Sequence, residues 1–168
     1  MSAHEIKPHP GAAPVRALVV TVSDSRGEKE DTSGPVARER LEAAGATVAA
    51  IERVKDEQSE ITAVVVRAVA DGSCDLVVLT GGTGVAPRDV TYEAVEPLLD
   101  KRLDGFGEAF RRLSWEEVGA RSVLSRAVAG TRGRVLIVAL PGSPNAVRLA
   151  IDKVLAGMMG HAVKLLRG

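Results

Sequence analysis

Apolar positions along the chain fall into two textures. Arg16–Val22 (RALVVTV), Leu76–Thr80 (LVVLT) and Arg134–Leu140 (RVLIVAL) are short runs of β-branched residues and leucine, apolar at successive positions, as in strands covered on both faces of a parallel sheet. Thr47–Lys55 alternates instead, with Val48, Ala50, Glu52 and Val54 at every second place, and predicts another strand. Between these runs the period lengthens. An Ala/Glu/Arg/Leu-rich segment begins near Pro35, a first-turn proline, and closes at Gly45. Glu60–Asp71 puts Ile61, Val64, Val65, Ala68 and Val69 on one helical face, with Ser59 as its expected N-cap and Gly72 as its end. The first half therefore reads β-α-β-α-β with connections of crossover length, which requires parallel pairing.

Beyond residue 90 the pattern is less regular. Thr91 is expected to cap a short helix, Tyr92–Leu99, and Asp104–Glu108 (DGFGE) to introduce a helix over Ala109–Val118, with Phe110, Leu113 and Trp115 as packing residues. Ser122–Ala129 (SVLSRAVA) fits either a short edge strand or a helix and is read as the strand. Pro141–Pro144 stops the last strand, and Asn145–Leu155 and Met158–Leu166 are expected as two final helices loosely joined around Gly157 and Gly160. With no internal repeat and no low-complexity linker, the expected fold class is α/β: a three-layer αβα sandwich with a mostly parallel central sheet. Residues 15–168 form its single domain, and residues 1–14, with three prolines, a flexible tail.

Composition narrows the class of partner. The 22 basic and 22 acidic residues balance, and one Trp, one Tyr and two Phe provide no stacking platform, so nucleic acid is not an expected ligand. No apolar run approaches the ~20 residues that span a bilayer, and the tail lacks the apolar core of a secretory signal. With a single cysteine, Cys74, there is no internal disulfide to form; a cytoplasmic protein without a membrane partner is expected. His4 and His9 stand in the tail without a cysteine or carboxylate cluster, which argues against a metal site there.

Ligand sites of parallel α/β sheets lie beyond the carboxyl ends of the strands. That rule collects Ser23–Gly27, Asp56–Gln58, Gly81–Asp89 and Pro141–Pro144 at one edge. Gly81, Gly82 and Gly84 let the backbone approach a ligand closely, and their N–H groups can surround an oxyanion, although a glycine loop can also be only a tight turn. The convergence of four loops favours the ligand reading. A Walker-type phosphate loop, a GxGxxG fingerprint opening a helix and a GxSxG nucleophile elbow are all missing. His161 is far from the loops, and Cys74 reads as a small buried residue, so a nucleophile with a histidine base is not expected. What remains is glycine-loop donors with Asp56 and Asp89, each following a strand. Each aspartate also has a bland reading, as a solvated strand end or a turn residue. Carboxylates beside phosphates commonly hold Mg²⁺, and the chemistry then is phosphoryl or nucleotidyl transfer.

Several ordered motifs sharpen this. TGGTG (Thr80–Gly84) followed by PRDVT (Pro87–Thr91), DTSGP (Asp31–Pro35), DGFGE (Asp104–Glu108), Ser125, Arg126 and Val128, and LPGSP (Leu140–Pro144) together resemble the molybdenum cofactor biosynthesis family of the MoaB/MogA type, whose fold is shared with the G domain of gephyrin. SWEEVG and SRAVAG (Ser114–Gly119, Ser125–Gly130) look closer to the MoaB branch. The resemblance implies a molybdopterin adenylyltransferase using ATP and Mg²⁺, with Asp56 and Asp89 as catalytic residues and metal ligands. It further implies that Ser23, Gly81, Gly82, Thr83, Gly84, Arg88, Pro141 and Gly142 bind nucleotide or phosphate, and that Ser125, Arg126 and Ser143 sit on the pterin side. It suggests a homotrimer or homohexamer, in contact with other cofactor-biosynthesis proteins. The alternative is a non-catalytic or weakly active pterin-binding paralogue or scaffold.

Overall fold

The computed structural model describes residues 13–24 and 31–168. Most of the expected tail, with His4 and His9, and the part of the first loop spanning 25–27 lie outside the described residues.

Seven apolar-rich positions make β1 (Arg16–Val22), buried after its first residue. Then come α1 (Ser33–Ala43), β2 (Thr47–Val54), α2 (Gln58–Asp71) and β3 (Leu76–Thr80), the expected β-α-β-α-β succession. The second half runs α3 (Thr91–Val95), β4 (Lys101–Arg102), α4 (Asp104–Val118), β5 (Val128–Arg132), β6 (Val135–Leu140), α5 (Pro144–Ala150) and α6 (Ala156–Arg167). The six strands form one sheet in the order β2-β1-β3-β6-β5-β4. Pairings among β2, β1, β3 and β6 are parallel, while β5 and β4 add antiparallel. Side chains alternate between two cores. Ala17, Val19, Leu76, Val78, Leu136 and Val138 face one side with Leu41, Phe110 and Leu155, whereas Leu18, Val20, Val77, Leu79 and Ile137 face the other with Ile61, Val65 and Val95. The expected αβα sandwich is present, with no described helix long and apolar enough to cross a membrane.

Several local expectations are corrected. Ser59 is not the N-cap of α2, which starts at Gln58 after Glu57. Thr91 does not cap α3 either: it is buried, and its hydroxyl donates 2.7 Å to the Gly81 carbonyl. The helix α4 takes in the whole DGFGE segment rather than following it. Gly107 permits this, because a Cβ there would stand 2.9 Å from the Ala127 carbonyl and 2.5 Å from the Arg111 guanidinium. Phe106 and Phe110, one turn apart, are buried by that approach, whereas Trp115 is 52% exposed. The segment read as a strand over Ser122–Ala129 begins as a 3₁₀ turn, Gly119–Leu124. The strand itself, β5, lies inside the sheet between β6 and the two-residue β4. The two final helices are one continuous helical rod: α5 passes through a π turn, Ile151–Leu155, into α6, so the irregularity precedes Gly157. As expected, Gly45 and Gly72 adopt positive φ at helix ends, and Cys74 is buried, its Sγ 3.7 Å from the Ala68 carbonyl; burial pushes the thiol pKa up.

Candidate active site

At the carboxyl edge of the parallel strands the chain encloses a cavity of about 340 Å³. Four neighbouring strands deliver its wall in register, since Thr21 of β1 stands opposite Arg53 of β2 and Thr80 of β3, and Thr80 opposite Leu140 of β6. Ser23, Asp56, Gly81, Gly82, Arg88, Asp89, Gly142 and Ser143 line it, drawn from all four loops gathered by the strand-end rule.

The glycine loop is built by close approach. Gly81 (φ 103°) and Gly82 (φ 70°) both adopt backbone conformations that L side chains rarely enter. A Cβ on Gly81 would collide with the Val22 carbonyl, and one on Gly82 with the Thr91 hydroxyl, so neither position has room for alanine. Gly81 N–H donates to Leu140 O at 2.9 Å, and Thr91 N–H to Gly82 O at 3.0 Å. These bonds pin the loop to β6 on one side and α3 on the other.

Two carboxylates face the cavity from separate loops. Asp89 closes a tight turn: its Oδ2 accepts from Ala86 N–H at 2.8 Å while its own N–H donates to Ala86 O, also at 2.8 Å. Gly84 lies directly against that carboxylate, where a Cβ would stand 2.7 Å from Oδ2. Asp56 forms a reciprocal pair with Asp24. Asp24 N–H donates to Asp56 Oδ2 at 3.1 Å, and Asp56 N–H to Asp24 Oδ1 at 2.9 Å. Burial pushes the Asp56 carboxyl pKa above its ordinary value and the Asp24 charge adds to the rise; the Asp24 N–H and Arg88 offset part of it.

Beneath them runs a polar floor that was not among the expected site residues, although Asp31 and Ser33 belong to DTSGP and Thr80 to TGGTG. Asp31 is buried and accepts from Thr21 Oγ1 at 2.8 Å, Gly34 N–H at 3.0 Å and Ser33 Oγ at 3.3 Å, with Arg53 3.9 Å away. Ser33 Oγ lies 3.0 Å from Thr80 Oγ1. With the Ser33 proton directed to Asp31, Thr80 is the donor to Ser33, so the chain of hydroxyls has one direction. Thr21, Asp31, Ser33 and Thr80 all line the cavity. The available signals were a threonine inside each of two otherwise apolar strands and the aspartate that opens DTSGP. Gly34 is required here too, since a Cβ would sit 2.6 Å from Asp31 Oδ2.

Five expected site residues stand elsewhere. Thr83 is 2% exposed and Gly84 supports the turn behind Asp89; neither lines this cavity. Ser125 and Pro141 line a neighbouring groove of about 780 Å³, together with Arg121, Arg148 and Lys153. Ser143, the N-cap of α5 through its bond from Ala146 N–H at 3.3 Å, borders both spaces. The Arg126 side chain turns towards the back of the glycine loop and lines a third crevice with Tyr92 and Arg102.

Residues 18–161 match the model of a molybdenum cofactor biosynthesis domain described as a probable molybdopterin-binding domain. The chain belongs to the molybdenum cofactor biosynthesis family. It is 43% identical over 165 residues to molybdenum cofactor biosynthesis protein B of Bacillus subtilis, covering 96% of this chain and 97% of that one. A crystal structure titled molybdenum cofactor biosynthesis protein B superposes with a TM-score of 0.89 at 43% identity, over 93% of this chain and 98% of its own. A structure of MogA superposes at 0.81 and 36% identity, covering 90% and 99%. Within the molybdenum cofactor biosynthesis family, the lean of SWEEVG and SRAVAG towards the B branch agrees with those identities.

Proposed function

We propose that this protein transfers AMP from ATP to the terminal phosphate of molybdopterin. The observation that carries the reading is the meeting of Asp56, Asp89, Arg88 and the glycine-loop backbone around one cavity at the strand ends. In the reaction a terminal phosphate oxygen of molybdopterin attacks the α-phosphorus of ATP. A new P–O–P linkage forms, the α–β phosphoanhydride bond breaks, and its electron pair leaves with pyrophosphate.

The chain's part is placement and charge compensation. The backbone of Gly81 and Gly82 borders the space for the phosphates, Arg88 supplies a cation beside Asp56, and the Thr21–Asp31–Ser33–Thr80 floor fixes the shape of the wall. Asp56 and Asp89 offer oxygen donors only, a set that suits Mg²⁺, which commonly takes one or two protein carboxylates and fills its remaining positions with phosphate and water. Bound there, Mg²⁺ would neutralise phosphate charge. The neighbouring groove that meets the cavity at Ser143 leaves room for the pterin side. The setting is the cytoplasm, and the assembly a homotrimer or homohexamer.

Incubation with molybdopterin, ATP and Mg²⁺ should release pyrophosphate and yield an adenylylated pterin, and Asp89→Asn should lower the rate by about 100-fold or more, the loss expected of a group acting on developing charge. Tight pterin binding by the wild type with no pyrophosphate released would reject adenylyl transfer in favour of a binding or scaffold role.

A further inference from the structure

Arg126 sits behind the glycine loop with its donors engaged by the chain itself. Its backbone N–H donates to Thr83 O at 2.8 Å. Its Nε donates to Gly84 O at 2.9 Å and Nη2 to Asp89 O at 3.0 Å, so one guanidinium ties the first and last residues of the hexapeptide Gly84–Asp89. Nη1 and Nη2 also grip the two carboxylate oxygens of Glu93, one turn into the following helix. The Tyr92 ring lies below the guanidinium carbon, 5.3 Å from its centroid. Arg126 is in turn held from outside. Arg111 Nη1 donates to the carbonyls on either side of it, Ser125 O at 3.3 Å and Ala127 O at 3.1 Å.

The segment held this way contains little that would hold itself. Val85, Ala86, Pro87 and Arg88 are exposed, and the turn is closed within itself only by the reciprocal Asp89–Ala86 bonds. The position of the Asp89 carboxylate is therefore set by where the backbone carbonyls of Gly84 and Asp89 are held, and both are held by Arg126.

We propose that Arg126 is a positioning residue for Asp89 rather than a ligand of the substrate. This rests on the adenylyl-transfer reading only for its kinetic consequence. A planar fork with divergent N–H groups is needed, since a lysine ammonium on a flexible stem cannot reach Gly84 O, Asp89 O and both Glu93 oxygens together. Displacing a reacting group by about 1 Å costs on the order of 100-fold in rate.

The test compares Arg126→Ala and Arg126→Lys with wild type in two ways: backbone amide hydrogen exchange across the chain, and steady-state adenylyl transfer. Both variants should speed exchange at residues 84–91 selectively and lower kcat by about 100-fold, with KM for ATP and for molybdopterin within about threefold of wild type. Millimolar guanidinium should restore part of the kcat of Arg126→Ala, because it fills the vacated fork. Should the alanine variant fail to fold, the lysine variant, which keeps the stem and the charge, carries the same comparisons. Unchanged exchange at 84–91, or a raised KM with kcat retained, would overturn the positioning role and return Arg126 to ligand contact. If the wild type transfers no AMP, the adenylyl-transfer reading falls, and the exchange comparison alone decides the role of Arg126.

Discussion

At the scale of single residues, Asp56 is the group whose surroundings are least comfortable. Burial and the adjacent Asp24 carboxylate raise its pKa, so its ionised form is held in the fold against a cost. The sign follows from linkage. A carboxyl whose folded pKa exceeds its unfolded value binds protons more tightly when folded, so the stability it contributes falls as pH rises through the window between the two. Asp56→Asn keeps the acceptor for the Asp24 N–H and removes the charge; it should raise or preserve the melting temperature at neutral pH while abolishing transfer. Asp24→Asn is the informative partner. It retains an oxygen for the Asp56 N–H but removes the like charge, so the acid limb of the kcat/KM–pH profile should move to lower pH. A limb that stays in place would show that Asp24 does not tune Asp56. Gly81, Gly82 and Asp89 were legible from the sequence because glycine in a strand-end loop and a carboxylate after it have a local signature. The Asp31 floor was less so, since its partners are Thr21, ten residues back, and Ser33, whose hydroxyl reaches on to Thr80 in another strand.

At the scale of elements, the opposite end of the sheet is fastened by one carboxylate. Asp75, 5% exposed, accepts from Arg16 N–H at 2.9 Å, from the Arg16 guanidinium at 3.0 and 3.1 Å, and from Arg167 of α6 at 2.7 Å. Its backbone carbonyl accepts from Leu136 N–H at 2.9 Å. Residue 75 thus joins the starts of β1, β3 and β6 and the end of the last helix. Burial alone would push this carboxyl up, but the hydrogen bonds from Arg16 and Arg167 outweigh it and hold the pKa well below the usual carboxylate range. A depressed folded pKa contributes stability that is complete above the unfolded value, about 3.9, and is lost as pH falls through the folded one. Asp75→Asn should therefore cost about 2–4 kcal/mol at pH 7 by denaturant titration, with a smaller penalty at low pH. An equal penalty at both pH values would show that shape, not charge, does the fastening. The elements around it were legible to different degrees for physical reasons. β1, β3 and β6 are buried on both faces, so composition alone marks them. Starting α4 at Asp104 depends on Gly107 meeting Ala127, and β5 on Gly130 admitting Lys101 O, where a Cβ would stand 2.5 Å away; such contacts between distant segments leave no periodic trace. The π turn at Ile151–Leu155 adds a residue to one turn while keeping Ile151 and Leu155 buried, which a fixed helical period renders as a break.

At the scale of the whole molecule, the exposed apolar surface is concentrated rather than scattered. Of the seven exposed large hydrophobic residues among those described, Trp115, Val118, Val123 and Leu124 fall within ten positions at the end of α4 and the following turn. Isolated exposed hydrophobics need no explanation, but a cluster of this kind marks a contact surface. Its rim carries both signs, Arg111, Arg112 and Arg121 with Glu116 and Glu117, a mixture that two identical patches can satisfy in one another. A formal net charge of zero leaves little repulsion to keep copies apart. Under the proposed trimer or hexamer, this face would receive another copy of this chain. Sedimentation of the wild type should then give a multiple of the 17.6 kDa chain mass, and Trp115→Glu or Val123→Glu, each placing a charge in an apolar contact, should shift it towards a single chain with the circular dichroism of the fold retained. A wild type that sediments at one chain mass would remove the oligomer, and an assembly untouched by both substitutions would place its interface on another face. Because the groove that meets the cavity at Ser143 is lined by Val118 and Arg121 from this same region, dissociation should also weaken pterin binding more than nucleotide binding, a difference that titration of each ligand against the dissociated variant reads directly.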